Sequence, residues 1–309
     1  MPFSAGFSRF ALLSLVLPLA PSTLSAAGAG TRPAAILRLG VGARAAALGQ
    51  ASVALVDDAS AVYWNPGALS RLNGGNALLS HGSFLNNELS YDAAAVGRRL
   101  SGAWALGVLL QHASVGSLSR LDAAAQETGS FSPADTAGTV ALARTVQGHG
   151  IGVSLKYIRS KIQHTASTLA GGVGYLSPAL WEGTLRVGVA ADNWGGKLKY
   201  AARGESLPAL LRAGVAYVPR PGWEAVFDTE RVQKADPTYG GGLEYHRDFR
   251  GGRAFLRGGY TTRTKDQGTA AGFSAGAGVL FRKIGLDYAF LPDGDLGYTH
   301  LLNLSFQFR

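Results

Sequence analysis

The chain of 309 residues has no cysteine, a single methionine and a charged fraction of only 16%, where soluble domains carry roughly 25%. Without cysteine there is no disulfide framework, no thiolate metal site and no cysteine nucleophile. Beyond the N-terminal segment, no window holds the ~18 uninterrupted apolar residues of a membrane-spanning helix, which excludes a helical membrane bundle. A disordered chain is excluded for the opposite reason: 47% of the residues are apolar, and such chains are apolar-poor and charge-rich. Clustered basic tracts and aromatic RNA-binding motifs are also missing, so nucleic acid is not an expected partner. What the chain has in excess is glycine, 43 residues, roughly double the ordinary share. Mean hydropathy is only +0.10, so the apolar residues must be interleaved with small and polar ones.

Residues 1–27 have the form of a cleaved export signal. Arg9 supplies the positive start, Phe10 to Leu17 begin an apolar run, and Ser25-Ala26-Ala27 offer small residues for cleavage. Removing Arg9 from the 29 Lys and Arg leaves 28 against 20 Asp and Glu, a net charge of +8. A basic exported protein is suited to anionic lipid or acidic polymers.

From about residue 74 the chain alternates with a period of two. Ile151-Gly152-Val153-Ser154-Leu155-Lys156-Tyr157 is typical, as are Leu185 to Asp192 and Leu211 to Tyr217. This period puts one set of side chains on each face of a strand. A soluble sandwich also alternates, but its polar face should be rich in charge. Here the second face is mostly Gly, Ala and Ser with scattered Arg, Lys and Asp, which suits a curved wall around a polar lumen.

About fourteen such segments run from 76–84 to 298–308, an even number within the range of outer-membrane barrels. The longest connections, 117–133, 196–206 and 292–297, follow odd-numbered strands; 147–149, 219–222 and 282–283 are short and follow even ones. That partial parity is the asymmetry of outer loops and periplasmic turns. The last strand puts Leu302, Leu304, Phe306 and Phe308 on one face, just before Arg309, and resembles the insertion signal of barrel proteins. Tyr157, Tyr175, Trp194, Tyr217, Trp223, Tyr245 and Trp104 sit towards strand ends, as interfacial girdles require. Val153, Leu155, Val187, Val189, Val215, Leu302 and Leu304 are expected to meet lipid. Lys156, Arg186, Arg212 and Asp192 are expected in the lumen, tolerant of polar exchange.

The fold expected is therefore all-β: a transmembrane antiparallel up-and-down β-barrel of about fourteen strands over 74–309. Residues 28–73 form a short helical N-terminal plug ahead of it. Gly42-Ala43-Arg44 open a helix that Gly49 closes. Asp57 and Asp58 are placed to cap a second helix, 59–64, which Asn65-Pro66 ends.

These plug residues carry a resemblance. Leu39 to Ala45, with Gly42, Ala43 and Arg44, then Asp57, Asp58, Tyr63, Trp64, Asn65, Pro66 and Gly67 within Asp57–Leu69, look like the start of the PorV/PorQ family, part of the wider FadL-like group. The resemblance implies a fourteen-stranded outer-membrane barrel with an N-terminal plug; separately, no cofactor or metal is expected. Some members of that family bind exported proteins for type IX secretion, whereas FadL-like relatives pass hydrophobic molecules.

Enzyme-like signals are weak. Gly272-Phe273-Ser274-Ala275-Gly276, with Asp287 and His300 following, matches a nucleophile elbow in sequence order. The elbow needs a strand-to-helix turn, and alternation runs straight through it. Gly40 to Ala45 imitates part of a dinucleotide fingerprint without the surrounding βαβ unit. His81, His112, His149, His164, His246 and His300 show no metal-ligand spacing and are expected to be solvated or in the lumen.

No catalytic residue is assigned. The leading expectation is a non-enzymatic PorV/PorQ-type barrel that handles exported protein or hydrophobic cargo. The alternatives are a FadL-like uptake channel for a lipophilic ligand and, from another class, an outer-membrane serine hydrolase. Besides outer-membrane lipid, the partners expected are exported proteins or secretion-system components. Candidate contact residues lie in the two long loops: Arg120, Asp122 and Glu127 in one, Lys197, Lys199, Tyr200 and Arg203 in the other.

Overall fold

Period-two alternation becomes a wall when every strand finds a partner on both sides. The computed structural model describes residues 34–123, 125–200 and 204–309; the export signal and Arg203 lie outside them. The strands are β1 (Gly75–Phe84), β2 (Leu89–Arg99), β3 (Trp104–Val115), β4 (Leu118–Leu121), β5 (Glu127–Phe131), β6 (Ala134–Val146), β7 (His149–Lys161), β8 (Thr165–Leu176) and β9 (Leu185–Gly195). After them come β10 (Lys197–Lys199), β11 (Gly204–Ser206), β12 (Leu210–Arg220), β13 (Trp223–Val232), β14 (Thr238–Phe249), β15 (Gly252–Thr261), β16 (Phe273–Phe281), β17 (Ile284–Pro292) and β18 (Tyr298–Phe308). Fourteen of them close into one barrel, each paired with its sequence neighbours in the wall, and β18 returns to β1. All of these pairings are antiparallel; Gly75 faces Phe308 where the ring closes. Closure removes the free edge, and every wall backbone group can bond within the sheet.

The two faces follow the alternation. On β7, Ile151, Val153, Leu155 and Tyr157 point out while Gly152, Lys156, Ile158 and Ser160 are covered. The outer face is an apolar band, and the aromatics named above gather near its rims. Among the described residues the inner face is mostly small: Ala105, Ala113, Ala137, Ala141 and Ala143 are all buried. Three histidines depart from expectation. His81, His112 and His300 share the outer face, because strict parity, not polarity, decides which way they point.

One end of the barrel carries the tight turns 147–148, 221–222, 250–251 and 282–283, together with Gly75 and Phe308. The other carries the long connections, including 262–272. One exception is the 177–184 segment, a longer link at the turn end with Trp181 exposed. The two longest loops are not irregular. Each folds back as a two-stranded hairpin, β4 with β5 and β10 with β11.

Small inner side chains leave a lumen, and residues 34–72 fill it. Helices α1 (Ala43–Ala47) and α2 (Ala61–Trp64) lie between 3₁₀ turns at Ala35–Arg38 and Pro66–Arg71. Ile36, Leu37, Leu48, Trp64 and Leu69 form one apolar cluster with Ala105, Leu109, Ala137 and Ile158 of the wall. The core is thus the boundary between plug and wall, while the largest apolar surface faces out.

An arginine at the middle of the outer band should be costly. Leu155→Arg, at a side chain 60% exposed in mid-strand, is expected to lower barrel stability by about 2–4 kcal/mol. Urea titration in detergent or lipid vesicles reads this directly, and Ser154→Arg on the inner face serves as a comparison.

Candidate functional site: the plugged lumen

The contacts between plug and wall are polar as well as apolar. Arg44 on α1 makes a two-pronged contact with Glu244 of β14, at 2.9 and 2.8 Å. The same guanidinium donates to Asp57 at 2.8 Å and to Glu224 of β13 at 3.0 Å. Glu244 also accepts from Arg257 of β15 at 2.5 Å, and Arg257 donates to Asp287 of β17 at 2.6 Å. Arg44 is held well protonated, since the three surrounding carboxylates outweigh its loss of water. A planar fork of five donors suits this shared arrangement better than an ammonium would.

Asp57 was expected to cap a helix. It is drawn away instead, serving Arg44 and, at 3.6 Å, Arg71. Asp58 alone takes the turn, accepting from the Ser60 backbone N–H at 2.8 Å. Its carboxyl is pushed up from the usual range by loss of water and pulled partly back by the Ser60 bonds.

Wall side chains also satisfy plug backbone. Asp228 accepts from the N–H groups of Ser52 and Val53 at 2.6 and 2.8 Å. Asn76 accepts from Ala59 N–H at 2.9 Å. Ser274 accepts from Gly49 N–H at 3.2 Å and donates to the Ala47 carbonyl at 3.1 Å. Ser274, Asp287 and His300 do not assemble as a triad: Asp287 pairs with Arg257, and His300, on the outer face, contacts the Tyr288 hydroxyl at 2.7 Å.

The Trp64-Asn65-Pro66-Gly67 stretch is shaped by close approach. Trp64 Nε1 donates to the Val41 carbonyl at 2.8 Å, and the Tyr63 hydroxyl to Leu37 at 3.2 Å. Asn65 donates to Val53 and Tyr175 carbonyls, both at 2.9 Å, and accepts from Gly67 N–H at 3.0 Å. A Cβ on Gly67 would lie 2.8 Å from the carbonyl oxygens of Gly150 and Gly174, so only glycine fits.

Lys156, Arg212 and Asp192 do face inward, but they are not the solvated, exchangeable groups expected. Lys156 bonds Asp192 and Asn193, each at 2.6 Å. Arg212 bonds Glu230 at 2.9 Å with Tyr63 under its guanidinium, 4.9 Å from the ring centroid. Removing one partner of such a buried pair costs about 3–5 kcal/mol.

Two cavities flank the plug. At the loop end, about 210 Å³ is lined by Leu39 of the plug and by Phe84, Leu85, Leu89, Phe273, Leu291, Pro292 and Leu296, with Arg263, Gln267 and Asp293 beside them. At the turn end, about 420 Å³ is lined by Arg44, Asp57, Arg71, Glu224, Glu244 and Arg257. One is apolar and the other charged.

Of the loop candidates, Arg120, Asp122 and Glu127 sit exposed on the β4–β5 hairpin. Lys197 and Lys199 are exposed too, but Tyr200 turns inward and its hydroxyl donates to Ser160 at 2.5 Å. Leu198 between them is fully buried with Ile36 and Leu37, so this hairpin packs onto the plugged lumen.

No family model and no curated protein matches the sequence. Solved structures do. The Ralstonia pickettii toluene transporter TbuX aligns over 87% of this chain and 99% of its own, with a TM-score of 0.62 at 14% identity. A Pseudomonas aeruginosa FadL homologue aligns over 86% and 98%, with 0.60 at 9%. The Pseudomonas putida toluene transporter TodX aligns over 86% and 96%, with 0.57 at 12%. The chain has the FadL-like fold. This likeness concerns the fold alone, and no family match accompanies the PorV/PorQ resemblance.

Loosening the plug should show electrically. Arg44→Ala leaves Glu244, which is 1% exposed, with Arg257 alone and takes the guanidinium away from Glu224, and Gly67→Ala drives a methyl into wall carbonyls. Both variants are expected to raise single-channel conductance in planar bilayers, with the heat-modifiable barrel intact.

Proposed function

We propose that the protein is a non-enzymatic outer-membrane channel for the uptake of small hydrophobic compounds. The apolar cavity at the loop end carries this reading. It is a recess lined by Phe84, Leu89, Leu291 and Leu296, above a plug that occupies the lumen. A lipophilic molecule gains by leaving water there, at roughly 25 cal/mol per Å² of apolar surface. The toluene transporters among the similar structures support the same class of cargo. The role of the plug is to keep the lumen shut to ions while a ligand is captured.

The PorV/PorQ-type reading, in which the barrel helps handle exported protein, rests on the plug motif and the exposed hairpin residues Arg120 and Glu127. It predicts an exported protein crosslinked to the barrel in intact outer membranes, and hydrophobic uptake that is the same with and without the protein.

Uptake is the deciding measurement. Cells making the protein are expected to accumulate a radiolabelled monoaromatic hydrocarbon faster than cells lacking it. Leu39→Asp or Leu296→Asp, which puts a carboxylate into the cavity, should cut that rate about tenfold, the effect of ~1.4 kcal/mol. Equal uptake with and without the protein, for monoaromatics and fatty acids alike, would sink the channel reading.

A further inference from the structure

Arginine is unevenly paired in this fold. Towards the lumen, Arg44, Arg212, Arg253 and Arg257 each meet a carboxylate. Five arginines on the lipid side of the turn end do not. Arg98 of β2 faces Leu106, Arg144 of β6 faces Trp104, and Arg247 of β14 faces Ala254. Arg220 ends β12, and Arg282 lies in the 282–283 turn. Parity sets the first three outward with Leu106, Trp104 and Phe249, all exposed. All five lie within three residues of a turn, at most roughly 10 Å along the strand. That is the level at which hydrocarbon gives way to headgroups.

Three of them stack on the aromatics of the rim. Arg144 lies over Trp104 at 5.2 Å from the ring centroid, Arg220 over Trp223 at 5.0 Å, and Arg282 over Phe281 at 5.4 Å. A guanidinium stacked by its face keeps its N–H edge free for an acceptor. Arg247 stands between Tyr245 and Phe249 on the same side of β14, and the Phe249 ring stacks on Phe281. The side chain opposite it is only a methyl, Ala254, so β15 does not cover its charge.

Carboxylates at this end are spoken for elsewhere. Asp248 pairs with Arg253 at 2.6 Å, and Glu224 with Arg44 at 3.0 Å. Glu182 is exposed in the 177–184 link between β8 and β9, on the stretch of the ring that carries none of the five. Among the described residues the five guanidiniums therefore have no anionic partner within the chain.

We propose that this rim binds the phosphates of anionic phospholipids in the periplasm-facing leaflet of the outer membrane. Charge complementarity carries the argument: cations without internal partners stand at headgroup level on the side of the wall that meets lipid. A planar fork of donors takes two phosphate oxygens at once, while the acyl chains lie along the apolar band beneath. Zwitterionic lipids bring their own ammonium next to the phosphate, so they gain less from a row of arginines. Tight turns face the periplasm in barrels of this kind, which assigns the rim to the inner leaflet. The rim is on the lipid side of the wall and is separate from the recess proposed to hold cargo.

Native mass spectrometry of the full chain, from micelles holding equal phosphatidylglycerol and phosphatidylcholine, reads the preference. The unaltered protein is expected to retain phosphatidylglycerol several-fold over phosphatidylcholine, less so as salt is raised. Arg220→Gln, Arg247→Gln and Arg282→Gln together should bring the ratio close to one. Lysine at the same three positions keeps the charge and should keep most of the preference. Arg159, Lys161 and Arg231 point outward at the loop end; changing these three to Gln removes the same charge and should leave the ratio as it was. Heat-modifiable migration confirms a folded barrel for each variant. Equal retention of the two lipids by the unaltered protein, or a preference that survives the turn-end Gln changes, would overturn the proposal. So would a preference lost on changing the loop-end three, which would put the anionic lipid at the opposite rim.

Discussion

The guanidinium of Arg44 is the point on which plug and wall depend. It touches Asp57 of the plug and Glu224 and Glu244 of the wall, and Glu244 is almost without water. Each carboxylate would be costly there alone, and each is acceptable because the donors are shared. Arg257 extends the arrangement to β17 through Asp287. Four wall strands and two parts of the plug are held by one group of two guanidiniums and four carboxylates. The carboxyl of Asp228 and the hydroxyl of Ser274 then fix backbone at the far side of α1.

The wall was largely legible in the sequence because alternation is local. Val153 and Leu155 point out and Lys156 points in for a reason contained in three consecutive residues. The fourteen strands and most of their ends follow from the same rule. The plug was legible as a segment, with Gly49 and Asn65-Pro66 marking its breaks. Its bonding was not. Asp57 looked like a cap because a cap is the local use of an aspartate before a helix; its real partner, Arg44, belongs to a different turn of the plug. Glu224, Glu244 and Arg257 were not singled out at all, since nothing near them in the chain marks them as partners of Arg44. Inward parity among small residues was the available signal, and it indicates which face a charge is on but not what it meets. The outer-face histidines went the other way, because polarity argued against the position that parity required.

The two ends of the lumen differ in chemistry as well as in loop length. Apolar side chains line the recess beneath the long loops, beside the buried pairs Arg212–Glu230 and Lys156–Asp192, and the charges that line an open cavity gather above the short turns. A molecule that favours the first environment is disfavoured in the second. The plug therefore separates two solvents, and the pairs that hold it also line the polar one. Any movement of α1 exposes Glu224 and Glu244 together, so the seal and the charged vestibule are not independent parts.

The plug precedes the first wall strand in the chain, yet its anchors at Glu224, Asp228, Glu244 and Ser274 lie on strands made much later. Contacts of such long sequence separation form slowly, since a large loop must close before they are made. The 66–71 turn can rest on β3, β6, β7 and β8, but α1 has no anchor until β13 to β16 exist. Gly67, seated against the carbonyls of Gly150 and Gly174, leaves no clearance for entry through a finished wall at that point. The order of assembly is accordingly constrained: a segment that precedes the wall in the chain completes its contacts only after the later strands are made, and the ring has to close around it.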